Sequence, residues 1–116
     1  MPEDVLRIAK SEHVPGLIIA GEIDEATYPY LLQSLATVDR HGEVHVDLSD
    51  VEFCDLAGLR AIVTLAEPEA DPDRARRVIL HAMPPRLHRV LQILGWDTLP
   101  GLTFDDEPIA GPPVTA

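Results

Sequence analysis

The sequence predicts a single α/β domain with a mixed, mostly parallel sheet. Three observations lead there. Single strands alternate with single helices after an initial pair of strands, which implies crossover units and a parallel sheet. The length of 116 residues suits one modest hydrophobic core. No internal repeat and no dividing linker breaks the pattern.

The expected order is β-β-α-β-α-β-α-β. Residues 5–9 form the first strand, Pro15-Gly16 makes a turn, and residues 17–23 form the second strand. Gly21 inside that strand marks a bulge or the close approach of another backbone. A helix follows over residues 27–38, where Leu31, Leu32, Leu35 and Val38 share a face. Pro29 fits only its first turn, and Asp24 and Thr27 are candidate N-caps. Arg40, His41 and Gly42 supply a terminating cation and glycine.

In the third strand, residues 44–48, Val44, Val46 and Leu48 alternate with His45 and Asp47. An acidic loop is expected over residues 50–55, then a helix over 57–66 built on Leu59, Ile62, Val63 and Ala66. Asp55 is placed to cap the first free N–H groups of that helix. Residues 67–73, EPEADPD, read as a surface connection, and residues 76–82 as a strand carried by Val78, Ile79 and Leu80. Pro84-Pro85 opens a last helix, whose Leu87, Val90, Leu91 and Leu94 recur at helical spacing until Gly95. Residues 102–104 form a short closing strand. The domain is therefore expected to span residues 1–104, with the acidic, proline-rich residues 105–116 as a frayed tail.

Composition narrows the function classes. The formal charge is −11, and residues 1–55 hold 12 of the 20 acidic side chains but only 3 of the 9 basic ones. Such a half repels phosphate backbones, so no nucleic-acid partner is expected, whereas a basic protein surface is compatible. No apolar run nears the ~20 residues needed to span a bilayer, and the first ten residues lack an apolar signal core. The expectation is a cytoplasmic protein with no membrane partner. Cys54 is the only cysteine, which leaves no internal disulfide and no thiolate metal cluster.

Motifs for chemistry are sparse. The five histidines lack the spacing of a metal site, although His45 and His81 lie on separate strands where they can meet. Cys54 has acidic and apolar neighbours, a setting that keeps a thiol protonated and inert. No hydrolase elbow, phosphate loop or cofactor motif appears, so neither an enzyme nor a cofactor or metal is expected. Carboxylates gather at the ends of the second and third strands: Glu22, Asp24 and Glu25, then Asp47, Asp50, Glu52 and Asp55. Metal or acid–base roles compete there with helix capping, and capping is favoured because Asp24 and Asp55 each precede a helix start.

Residues 17–30, LIIAGEIDEATYPY, and residues 44–65, VHVDLSDVEFCDLAGLRAIVTL, resemble the STAS domain, the family of anti-sigma factor antagonists and sulfate-transporter C-terminal domains. The matching positions are Gly21, Glu22, Ile23, Asp24, Thr27 and Pro29, then Asp47, Leu48, Ser49, Phe53, Asp55, Gly58 and Leu59. Residues 86–96, RLHRVLQILGW, match the family's leucine-rich last helix. The resemblance covers about residues 5–104 and rests on the order of these pieces.

It implies a mixed sheet with helices packed mainly on one side. It also implies a bacterial signalling role in transcription regulation. Family members bind a kinase-type anti-sigma factor and so release a sigma factor, until the kinase phosphorylates a Ser or Thr directly after the motif aspartate. Here that slot holds Leu56, followed by Ala57, and the nearest hydroxyls are Ser49 and Thr64. The usual phospho-switch is therefore absent from the expected rim.

The partner-binding residues expected from this frame are Asp24, Asp55, Leu56, Ala57, Gly58 and Arg60. Leu56 either makes a permanent apolar contact with a partner or folds back onto Leu59. The expected partner is a kinase-like anti-sigma factor or another STAS protein. The alternatives are a nucleotide- or small-molecule-sensing module, with Arg60 and the helix start near Gly58 as anion ligands, and a self-associating scaffold or homodimer.

Overall fold

The computed structural model describes residues 5–38, 42–67 and 76–109. Its elements run β1 (Leu6–Lys10), β2 (Gly16–Ile23), α1 (Tyr28–Ala36), β3 (Gly42–Cys54), α2 (Leu56–Thr64), β4 (Arg76–His81), α3 (Pro85–Leu94), a 3-10 turn (Trp96–Thr98) and β5 (Leu102–Asp105). The sheet order is β1-β2-β3-β4-β5. β1 pairs antiparallel with β2, and β2 to β5 are parallel. The predicted element order and mixed sheet are both found.

Spatial order equals chain order, so every crossover steps across the sheet in the same direction. Crossovers of one hand then place all three helices on one face. The side chains agree with this. Leu6, Leu17, Ile19, Val44, Val46, Leu48, Val78, Leu80 and Leu102 point to one side of the sheet and are buried. They meet Leu31 and Leu35 of α1, Leu59, Ile62 and Val63 of α2, and Leu87 and Leu91 of α3 in one core. Alternation sends His45, Asp47, Ile79 and His81 to the opposite, helix-free face.

The largest departure from expectation lies in β3. Residues 50–54, expected as an acidic loop, continue the strand and pair with β2 as far as Ile23↔Cys54. Two register shifts accommodate them, between Ile18/Ala20 and between Gly21/Glu22, and each inserts one extra residue into β3. Such bulges bend a strand and re-aim its side chains, and the broken alternation hid the strand from a period-two reading. Gly21 shows the predicted close approach: its φ is +105°, and a Cβ there would lie 2.0 Å from the Val5 carbonyl oxygen.

Ala82, at φ +50°, turns the chain sharply out of β4. Gly95, at φ +75°, ends α3 as predicted. Past residue 104 the described chain runs on to residue 109. β5 includes Asp105, and the Ile109 N–H donates to Asp47 Oδ2 at 2.8 Å. The expected helix terminator at Arg40 and His41, most of the 67–73 connection, and residues 110–116 of the expected tail lie outside the described residues.

Candidate partner-docking surface

The end of β2, the end of β3 and the start of α2 converge because their backbones are tied. The Asp55 N–H donates to the Ile23 carbonyl at 3.0 Å, so the chain leaves β3 beside the end of β2 and enters α2 at once. Asp55 is the N-cap. Its backbone is extended (φ −77°, ψ 173°), and Oδ1 accepts the Gly58 N–H at 2.8 Å. Gly58 is buried where the helix start touches β2. An added Cβ would sit 2.3 Å from Ile23 Cγ2 and 3.3 Å from Cys54 Sγ. The motif glycine thus sets how closely α2 approaches the sheet.

Asp24 is spent in the turn before α1 rather than as a helix cap. Its Oδ1 accepts the Thr27 N–H at 3.1 Å, while its own N–H donates to Thr27 Oγ1 at 2.9 Å. Thr27 holds the N-cap position of α1, but its buried hydroxyl reaches backward and donates to the Glu22 carbonyl at 2.9 Å. Thr27 therefore occupies the N-cap position as expected, but neither its side chain nor that of Asp24 caps a helical N–H of α1; both are used to pin the turn to the end of β2. Glu22, Glu25 and Glu52 at the rim are exposed, as is Asp50, which lies back along β3 opposite Ala20.

Cys54 stands half-buried between these groups. Burial, helped by the Asp55 charge, pushes its thiol up to about 12. Sγ donates to the Asp55 carbonyl at 3.4 Å. A thiol held protonated is no nucleophile. The two nearby hydroxyls are also occupied: Ser49 Oγ donates to Asp47 Oδ1 at 2.6 Å, and Thr64 Oγ1 donates to the Arg60 carbonyl at 2.6 Å.

Leu56 opens α2 with its side chain in solvent, 55% exposed, so it does not fold back onto Leu59. Phe53 lies close by in sequence and is 49% exposed. The bulge before it turns the ring outward, since Val51 two residues earlier is buried. Phe53 is the surface residue missed by the sequence reading, which used it only as a family match. An aromatic after an inward valine at an acidic strand end was the available signal.

Ala57 is exposed beside Leu56. Arg60 is turned away from the rim: it pairs with Glu67 at 2.9 Å, and its guanidinium lies 5.3 Å from the centre of the Trp96 ring. Asp24, Asp55, Leu56, Ala57 and Gly58 are therefore brought to one end of the sheet, and Arg60 is not. Arg86 of α3 reaches that end instead, donating to the Glu52 carbonyl. Two exposed apolar side chains thus stand near this end, Phe53 in register with Glu22 and Leu56 in the first turn of α2.

Comparison with known proteins places this arrangement. No curated protein sequence matches the chain. Among solved structures, an anti-sigma factor antagonist from Mycobacterium paratuberculosis superimposes with a TM-score of 0.59 at 26% identity, covering 84% of this chain and 83% of that one. A family model described as "Mlab, STAS domain" matches residues 6–103, a span that includes all five strands, three helices and the rim just described apart from the last two residues of β5. The chain belongs to the STAS-domain family.

Proposed function

We propose that this STAS domain is a non-catalytic regulatory module that docks a partner protein through Phe53, Leu56, Ala57 and the capped start of α2, without phosphorylation at that rim. The observation that carries the reading is the exposed Leu56 in the first turn of α2, directly after the capping Asp55. Apolar groups projected from a rigid, capped helix start bind without the cost of ordering a loop. Glu22, Glu25 and Glu52, exposed on the chain segments that end here, favour a partner whose contact surface is basic.

The structural relative is an anti-sigma factor antagonist, which supports a kinase-like anti-sigma factor, or another STAS protein in a relay with one, as the partner class. Leu56 stands directly after the capping Asp55 and has no hydroxyl to phosphorylate, so the docking is constitutive with respect to a kinase acting there. The nucleotide alternative is weakened by Arg60, whose pairing with Glu67 and Trp96 removes the cation expected to meet a phosphate.

The test is capture of partners from native lysate with wild type, Leu56→Asp and Leu56→Ser. Burying one leucine contributes ~1.5–3 kcal/mol, so Leu56→Asp should weaken the captured complex roughly tenfold to a hundredfold or more. Leu56→Ser should bind in the absence of ATP and dissociate when a cognate kinase and ATP are added. Phosphate appearing near Asp55 in the wild-type protein, or equal binding by Leu56→Asp, would overturn the reading.

A further inference from the structure

Helix α3 carries a surface that the rim does not use, and its charge is opposite to that of the chain as a whole. Residues 74–96 contain no Asp or Glu and hold five of the nine basic side chains, in a protein of formal charge −11. Arg86 and Arg89 of this run are exposed on α3. With Ile93 they recur at the i, i+3, i+7 spacing of one helix stripe. Leu87 and Leu91 lie on the other side of the helix and are buried in the core. Ile93 is 73% exposed, more than Leu56 or Phe53, so it contributes little burial to this domain.

A single exposed isoleucine is ordinary. Its setting here is not. Among the described residues neither Arg86 nor Arg89 is in an ion pair, whereas Arg60 of α2 is paired with Glu67. Arg86 donates to the Glu52 carbonyl, a neutral acceptor that leaves its charge uncompensated. The stripe is also rigid. The buried leucines fix α3 to the sheet, and the His88 ring stacks on Phe104 of β5 with centres 4.4 Å apart. An open groove of about 520 Å3 is lined by Arg86, Arg89 and Gln92 of α3 and by Asp106 beyond β5, its one carboxylate.

We propose that the Arg86–Arg89–Ile93 stripe is a second docking surface, and that its occupant is an acidic, amphipathic helix of a partner protein. A partner helix repeats its side chains at the same spacing of three and four, so one face offers carboxylates to both arginines and an apolar side chain to Ile93. Charge selects this class over larger anions. Nucleic acid or an anionic bilayer extends past the stripe and meets the acidic remainder of the chain. A short acidic helix touches the stripe alone, where a Debye length of ~8 Å lets the two arginines set the local field. Ile93 adds an apolar contact that a phosphate backbone cannot use. The surface goes beyond the rim, which favours a basic partner, and it stands without that reading.

Two synthetic peptides of about three turns test this. They share a leucine face and differ only in carrying glutamate or lysine at the flanking positions. Each is titrated into the whole nitrogen-15-labelled chain. The glutamate peptide should shift the amide signals of residues 86–94 saturably and leave those of Phe53 and Leu56 in place. Its affinity should fall about tenfold to a hundredfold in Ile93→Asp, the loss of one buried isoleucine, and severalfold in wild type as salt rises from ~0.05 to ~0.5 M. Arg89→Glu should abolish binding of the glutamate peptide and confer binding of the lysine peptide on the same stripe. Both side chains are exposed, so the urea midpoints of the variants should stay close to wild type and the lost affinity reports the contact. No shift at residues 86–94, shifts confined to the rim, or equal binding of the glutamate peptide by Arg89→Glu would overturn the proposal. So would shifts at α3 with phosphatidylglycerol vesicles or a single-stranded oligonucleotide and none with the glutamate peptide.

Discussion

Gly58→Ala tests whether the close contact between α2 and the sheet is built as described. Two effects oppose each other. Alanine is the better helix former by ~1 kcal/mol in a helix interior, and less in a first turn. Against this, its methyl would sit 2.3 Å from Ile23 Cγ2, 3.2 Å from Asp55 Oδ1 and 3.3 Å from Cys54 Sγ. Ile23 is fully buried, and its Cγ2 is attached at the branched β-carbon, so it cannot swing aside without moving the strand. Overpacking of this kind costs ~1–3 kcal/mol. The net expectation is a loss of about 1–2 kcal/mol, the steric term winning.

Urea unfolding measures this. With a slope of ~1–3 kcal/mol/M for a small domain, the midpoint should fall by about 0.3–2 M. A double-mutant cycle isolates the cause. Ile23→Ala alone should cost ~2–5 kcal/mol as a cavity. In that background the atom closest to the new methyl is gone, so Gly58→Ala should cost nothing or stabilise. A coupling of ~1–3 kcal/mol is then expected, as for residues in direct contact. If Gly58→Ala leaves the midpoint unchanged in the wild-type background, or costs the same with and without Ile23, the close-approach argument fails.

Asp55→Ala removes the one side-chain cap of α2 and should lower stability by about 1 kcal/mol, read as a shift in the urea midpoint, with Asp55→Asn retaining much of it. The raised Cys54 thiol predicts slow alkylation by iodoacetamide in the native protein at mildly alkaline pH, and rapid alkylation once urea unfolds it. Because that thiol holds its proton more tightly in the folded chain, its contribution to stability is fully present below about 9 and is lost as pH rises toward about 12, so the alkaline decline should be shallower in Cys54→Ala than in wild type. Arg60→Ala should leave partner binding at the rim within about twofold, since the guanidinium faces Glu67 and Trp96, and an exposed pair contributes little to stability either.

Much of this architecture was legible because local signals agreed with the fold. The Leu87–Val90–Leu91–Leu94 spacing, the proline pair before it and Gly95 after it define α3 with no tertiary information. Asp55 three residues before Gly58 announced a capped helix start, and that is what forms. The second half of β3 was not legible, since its two bulges invert the alternation between Leu48 and Val51 and send Phe53 outward. The His45–His81 contact on the helix-free face, 2.7 Å between Nδ1 and Nε2, was visible only as a possibility: its distance depends on the register Asp47↔His81, which no single strand encodes. The exposure of Leu56 was open for a similar reason, because it depends on how α2 docks on the sheet, which the helix's own residues do not encode.

Strand β3 connects the helix-free face to the rim. Its regular half, up to Leu48, alternates cleanly, burying Val44, Val46 and Leu48 under the helices and delivering His45 and Asp47 to the helix-free face. Its bulged half carries the chain onward beside β2 and ends in the Asp55 cap. A shift of β3 along its neighbours would therefore disturb both the Asp47–Ile109 tie and the placement of Phe53 and Leu56. The parallel pairing to β4 and the bulged pairing to β2 oppose such a shift, and the Arg86 contact to the Glu52 carbonyl anchors the bulge from α3. Because that anchor comes from a helix rather than from the sheet, Arg86→Ala should loosen the Phe53 end of β3 while leaving the His45–His81 end in register. Amide exchange faster at Phe53 and unchanged at Val46 would show that the two halves of the strand are secured separately.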